Sequence, residues 1–210
     1  MLKTIFYLLL FLLFFTGVKA QNTQTELFPQ PQKVQLSSEG FPLKAYHISG
    51  SHKPDAQIIS LLQGIFKFSN KGNEIPFEIS VSEKDNNALN QSGAYRLALS
   101  PEKITINAFD ERGLFYAVQT LYQLYKYENG VYTLPKGEIT DYPDVAHRGT
   151  VEGFYGEPWT FQDRLEQLRF YGKLKLNTYI YGPKNDPFHS SPNWRLPYPT
   201  KEAAKIKTLV

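Results

Sequence analysis

Apolar positions recur at two different periods along this chain, and the points where the period changes mark out its elements. Phe77, Ile79 and Val81 alternate with Glu78, Ser80 and Ser82, as do Tyr95, Leu97 and Leu99 with Arg96 and Ala98, while Ile104 and Ile106 flank Thr105. Such alternation puts one side of a strand in a core and the other in water, so strands are expected at 77–82, 95–99 and 104–106. The turn Ser100-Pro101-Glu102-Lys103 should join the last two as a hairpin. Shorter strands are expected at 33–36 and 46–48, on either side of a Gly40-Phe41-Pro42 turn.

Two segments change to helical spacing. Ile58, Leu61, Leu62, Ile65 and Phe68 predict an amphipathic helix over 55–68. Leu114, Val118, Leu121, Tyr122 and Tyr125 predict another over 111–127, with a mostly polar opposite face. Strands and helices in this mixed order imply a compact α+β domain over residues 21–140.

After Asp141-Tyr142-Pro143 the pattern changes. A strand is expected at 146–153, followed by a helix opening at Thr160, capped with Asp163, and carrying Phe161, Leu165 and Leu168 on one side. A strand at 176–181, a long loop and a helix from Thr200 with Ala203, Ile206, Leu209 and Val210 complete the rhythm of parallel βα units. Two parallel strands do not close a sheet, and the last helix meets no stop signal. Residues 141–210 are therefore expected to be the incomplete start of a (β/α)8 TIM barrel, a fold that typically takes about 250 residues.

The first 20 residues are expected to be a signal peptide. Lys3 supplies positive charge, Ile5–Phe15 is apolar throughout, and Thr16-Gly17-Val18-Lys19-Ala20 offers small residues for cleavage between Ala20 and Gln21. The apolar run is about half the length needed to cross a bilayer. The expectation is a secreted or periplasmic protein with no stable membrane anchor after cleavage.

Composition matters once this leader is set aside. The net charge of +3 comes from 23 Lys+Arg and 20 Asp+Glu, and without Lys3 and Lys19 it becomes 21 − 20 = +1. That near-neutral balance gives no reason to expect a nucleic-acid partner. Cysteine is absent, which excludes disulfides, thiolate metal sites and Cys nucleophiles. The triplet Asn90-Gln91-Ser92 fits a glycosylation acceptor, but a pattern this short recurs by chance.

Candidate chemistry gathers in two strings. Arg148-Gly149-Thr150-Val151-Glu152-Gly153-Phe154-Tyr155-Gly156-Glu157-Pro158-Trp159 leaves a predicted parallel strand at its C-terminal end, where barrels place their sites. Its glycines permit close backbone approach and positive φ, and its aromatic rings suit the apolar faces of sugars; the same residues also fit a Gly-rich strand end with aromatics in the core. Glu152 is either an acid/base group or an ion-pair partner. The second string is Tyr179-Ile180-Tyr181-Gly182-Pro183-Lys184-Asn185-Asp186-Pro187-Phe188-His189. Lys184 is either a donor to substrate or a solvated surface lysine, and Asp186 before Pro187 suits a turn. Asp186 and His189 lack a third ligand nearby, so no metal and no other cofactor is expected. Trp194 and Arg195 lie in a Pro-rich stretch that either folds over a site or covers the bottom of a barrel.

Arg148–Gly156, followed by Asn177-Thr178-Tyr179-Ile180-Tyr181-Gly182-Pro183-Lys184-Asn185-Asp186-Pro187, resembles glycoside hydrolase family 84, the β-N-acetylglucosaminidases that include O-GlcNAcases and bacterial hyaluronidase-like enzymes. Ile106-Asn107-Ala108 and Arg112–Leu121 are similar to the accessory domain that precedes the barrel in this family and in family 20 hexosaminidases. The resemblance implies retaining hydrolysis of terminal N-acetylglucosamine, in which the substrate's own 2-acetamido group is the nucleophile. It implies that the backbone of Gly153 and the ammonium of Lys184 hold that sugar, with Tyr155 and Asp186 in lining or supporting roles. It also implies an adjacent Asp-Asp pair as the catalytic groups. These 210 residues contain none, so the catalytic pair is expected downstream of Val210 and the chain alone is expected to be inactive. The partner implied is an N-acetylglucosamine-terminated glycan or glycoprotein. A non-catalytic carbohydrate-binding or adhesion module, using Phe154, Tyr155 and Trp159 as a platform, is the alternative.

Overall fold

The structure is a computed structural model and describes residues 27–83, 90–153 and 155–209. The leader, the Ala20/Gln21 junction and Phe154 lie outside the described residues.

The first part of the chain builds an eight-stranded mixed sheet from β1 (Lys33–Pro42), β2 (Ala45–Ser49), β3 (Lys67–Phe68), β4 (Ile75–Val81), β5 (Tyr95–Leu99), β6 (Ile104–Ala108), β7 (Lys126–Glu128) and β8 (Val131–Asp141). The strand order is β1-β8-β5-β6-β4-β2-β3, with β7 paired to β8. β5 and β6 form the expected antiparallel hairpin, whereas β6, β4, β2 and β3 run parallel. Two helices, α1 (Ala56–Gln63) and α2 (Glu111–Leu124), connect strands of this sheet.

The alternation places Phe77, Ile79, Tyr95, Leu97, Ile104 and Ile106 in one buried layer with Leu114, Val118 and Leu121 of α2. The opposite face is polar, and there Ser80 donates to Asn107 across β4 and β6 at 2.5 Å. This is an α+β domain, with one face of the sheet covered and the other facing water. Asp110 begins α2 by accepting from the Gly113 amide at 2.8 Å, and Asp55 begins α1 by accepting from Ile58 at 2.8 Å.

Several expected boundaries move. The helix expected over 55–68 ends at Gln63: Gly64 closes it, Phe66 enters an aromatic cluster with Tyr46 and Phe77, and Phe68 joins β3. The turn expected at Gly40-Phe41-Pro42 is instead part of β1, which passes through a register shift between Leu36 and Gly40. The helix expected over 111–127 stops at Leu124, and its second flank is buried as well: Tyr116, Gln119 and Thr120 are out of water, Tyr116 accepting from Arg148 and Thr120 bonding Tyr95. Neither β7 nor β8 was expected.

The remainder forms β9 (Gly149–Glu152), α3 (Phe161–Lys173), β10 (Thr178–Tyr181) and α4 (Thr200–Lys207). β9 and β10 pair in parallel, with Ile180 opposite Val151 and Tyr181 opposite Glu152. Thr160 and Asp163 make the expected capping box at the start of α3. No helix among the described residues is long and apolar enough to cross a membrane.

The two parts are joined by buried polar contacts. Lys175 follows α3 with φ +59° and is 5% exposed; its ammonium donates to Asp141 at 2.7 Å and to Tyr95 Oη at 2.9 Å. Tyr95 Oη and Thr120 Oγ1 share a further hydrogen bond of 2.6 Å. Beside them the Arg148 guanidinium donates to Tyr116 Oη at 2.7 Å and to the Lys175 carbonyl at 2.8 Å.

Candidate functional site

Parallel pairing brings the two candidate strings together. The loop after β9 carries Gly153, Tyr155 and Gly156, the loop after β10 carries Lys184 and Asp186, and both leave the same edge of the small sheet. The Gly182 amide donates to the Glu152 carbonyl at 2.8 Å, which ties the loops at their roots. Gly149 makes this pairing possible: a Cβ there would stand 1.5 Å from the Thr178 carbonyl oxygen.

Alternation sorts the side chains onto two faces. Thr150, Glu152, Tyr179 and Tyr181 face α3: Thr150 Oγ1 donates to Tyr171 Oη at 3.0 Å, and the Arg164 guanidinium sits 4.9 Å over the Tyr181 ring. Val151 and Ile180 lie on the other face, 60% and 54% exposed.

Glu152 is fully buried. Its carboxylate accepts from Arg164 at 2.7 and 2.8 Å, from the Trp159 amide at 3.1 Å and from the Tyr179 hydroxyl. Burial pushes its pKa up, but the donors and the Arg164 charge outweigh burial and hold it below the usual glutamate range. The same bond raises the pKa of Arg164, and burial with the carboxylate raises that of Tyr179. With four hydrogen bonds filling its lone pairs, Glu152 is a structural ion-pair partner and not an acid/base group.

Asp186 is similarly occupied. It accepts from the Phe188 amide at 2.8 Å, the His189 amide at 3.1 Å and the Tyr181 hydroxyl. Burial raises its pKa, and these donors more than reverse the effect. Asp186 therefore fixes the turn that leads away from Lys184. Tyr198 lies against it, and burial beside this carboxylate pushes the Tyr198 hydroxyl up to about 12.

Lys184 is exposed, and its ammonium has no hydrogen bond or ion pair among the described residues. Tyr155 is 85% exposed. Positive φ is found at Gly156, +112°, and not at Gly153, so the two glycines differ in conformation. Among the described residues beyond its chain neighbours, a Cβ on Gly153 would meet Val151 Cγ1 alone, at 3.3 Å, so its backbone is open to close approach. Among the described residues no group of three or more His, Asp or Glu side chains is placed to hold a metal ion.

Sequence reasoning missed the framework, Arg164, Tyr171, Tyr179, Tyr181 and Tyr198. The signal was present in the two-residue spacing of Tyr179 and Tyr181, which puts both rings on the face that α3 covers.

Residues 148–210 match the family model described as beta-N-acetylglucosaminidase, and residues 24–142, more than half of the chain, match glycosyl hydrolase family 20, domain 2. The solved structure of CpGH84B superposes with a TM-score of 0.75 at 31% identity, covering 88% of this chain and 34% of that one. The chain belongs to the glycoside hydrolase family 84 type. Protein O-GlcNAcase of Rattus norvegicus is 47% identical over 62 residues, 30% of this family 84-type chain and 7% of the relative. N,N'-diacetylchitobiase of Vibrio harveyi is 30% identical over 190 residues, 85% of the chain and 20% of the relative. The chain thus spans a small part of these curated relatives and about a third of the solved structure. Residues 24–142 are the family 20-like accessory domain.

Proposed function

We propose that the edge formed by the β9 and β10 loops binds terminal N-acetylglucosamine, and that the chain contributes this half-site to a retaining β-N-acetylglucosaminidase in which the substrate's acetamido group is the nucleophile. The observation that carries the reading is that an open Gly153 backbone and an unpaired Lys184 ammonium lie on loops leaving the same end of two paired parallel strands, while Glu152 and Asp186 are occupied by donors of the chain. Lys184 is then free to donate to sugar hydroxyls.

The exposed Val151–Ile180 pair supports a (β/α)8 barrel as the context. These apolar side chains lie opposite the face that α3 covers, which is the side barrel strands turn inward. Tyr155 lines the site, and Asp186 supports it by holding the loop.

A titration of N-acetylglucosamine followed by NMR tests the site. Perturbed amides at 153–156 and 182–186, lost in Lys184→Ala, are expected; binding that Lys184→Ala leaves unchanged would overturn the assignment. With an aryl N-acetylglucosaminide, the 210 residues are expected to show no turnover, because they hold no adjacent aspartate pair. For the leader, the proposal is export to the periplasm or the outside of the cell, and N-terminal sequencing of the exported protein should begin at Gln21.

A further inference from the structure

The chain between β10 and α4 is a folded loop with an exposed indole at its turning point. The Asp186 carbonyl accepts from Ser190 at 2.9 Å, the Pro187 carbonyl accepts from Asn193 at 2.8 Å, and the Asn193 carbonyl accepts from Leu196 at 2.8 Å. Phe188 and Tyr198 pack at 5.3 Å between ring centroids, and Tyr198 also meets Tyr181. The loop is therefore tied to β10 through Tyr198 and Tyr181 and folded on itself by its backbone bonds.

The Asn193–Pro187 bond decides where the next residue lies. It returns the chain to Pro187, three residue steps and at most about 11 Å of chain from Lys184, so that the loop carrying Trp194 folds back on the segment that follows Lys184. Trp194 is 53% exposed, and the Arg195 guanidinium lies 3.7 Å from its ring centroid. A cation over one face holds the indole in place, and the rest of the ring is in water. An indole with one face against a cation and the other in water offers that open face for stacking, where a binding partner gains apolar contact.

We propose that Trp194 is the platform for the sugar on the leaving-group side of the scissile bond. This rests on the reading of Gly153 and Lys184 as the site for the terminal sugar. The ligand class is a pyranoside β-linked to N-acetylglucosamine: Lys184 takes the hydroxyls of the terminal ring, and the indole face takes the C–H face of the next ring. The Asn193–Pro187 bond sets the distance between the two contacts.

The test uses the full chain with Trp159→Phe, which leaves Trp194 as the sole tryptophan. Its emission is followed during titration with N-acetylglucosamine and with N,N'-diacetylchitobiose, with NMR reporting binding of both. The disaccharide is expected to shift Trp194 emission to the blue and to bind about threefold to tenfold tighter than the monosaccharide, the range a stacking contact supplies. Trp194→Ala should bring the disaccharide down to the monosaccharide's affinity, and Trp194→Phe should restore most of the difference. If both sugars bind equally through Lys184 while Trp194 emission stays fixed, the platform is overturned and the terminal-sugar site stands. If neither sugar binds, the site reading fails and the platform falls with it.

Discussion

Glu152, at the end of β9, and Asp186, in the loop after β10, are each held by donors from their own chain. Glu152→Gln removes the charge opposite a nearly buried Arg164, so a loss of about 3 kcal/mol is expected, the low end for breaking a buried pair because the guanidinium retains some solvent. Urea denaturation followed by circular dichroism measures it, and a loss under about 1 kcal/mol would contradict the structural role assigned here. Acid should act through the same groups. Glu152, Asp163 and Asp186 have lowered pKa values, and Glu74, bound by Ser69 and the amides of Lys71 and Gly72, falls to about 2. Groups lowered by folding stabilise the native state fully above their unfolded values, near 4, and lose that contribution as pH falls through the folded values. The urea midpoint is thus expected to be flat with respect to these groups from pH 7 to 5 and to fall between pH 4 and 2, less steeply in Glu74→Gln. Tyr46 makes the opposite prediction. It is fully buried among Phe66 and Phe77, its hydroxyl has no well-formed hydrogen bond among the described residues, and burial raises its pKa. Tyr46→Phe should leave stability unchanged or raise it by up to about 1 kcal/mol in the same assay.

Among the elements, those with an unbroken period were legible in the sequence, and those with a broken one were not. β4, β5 and β6 keep strict alternation, and the capping box announced α3. In β8 the buried positions are Leu134, Ile139 and Asp141, which change parity midway; in β1 Leu36 and Phe41 do the same. Both changes fall at the irregularity between Leu36 and Gly40, where residues 37–39 of β1 stand against residue 136 of β8 and regular pairing is broken. The strand ends and loops that carry Gly153 and Lys184 were legible from their Gly-rich and Pro-rich strings, whereas the aromatic and guanidinium framework depends on which face α3 covers. The joint between the two parts was invisible, since Asp141, Lys175 and Tyr95 are far apart in sequence. Lys175→Met is expected to cost about 3 kcal/mol by leaving Asp141 buried without its cation, and Lys175→Met with Asp141→Leu should recover most of it. Urea denaturation of both variants reads the difference, and equal losses would show that packing rather than charge governs the joint.

Across the whole molecule, a finished α+β domain is continuous with a sheet of two parallel strands that has one bare apolar face. Val151 and Ile180 should make the isolated chain self-associate. Light scattering of Val151→Thr with Ile180→Thr is expected to show less association, with circular dichroism unchanged. The seam between the parts has a chemical consequence as well. Lys175 keeps its amine out of water and bonded on two sides, while Lys184 extends into solvent. An amine-selective acylating reagent should therefore modify Lys184 early and Lys175 only when the seam opens, so mass spectrometry of the labelled peptides would time the separation of the two parts directly.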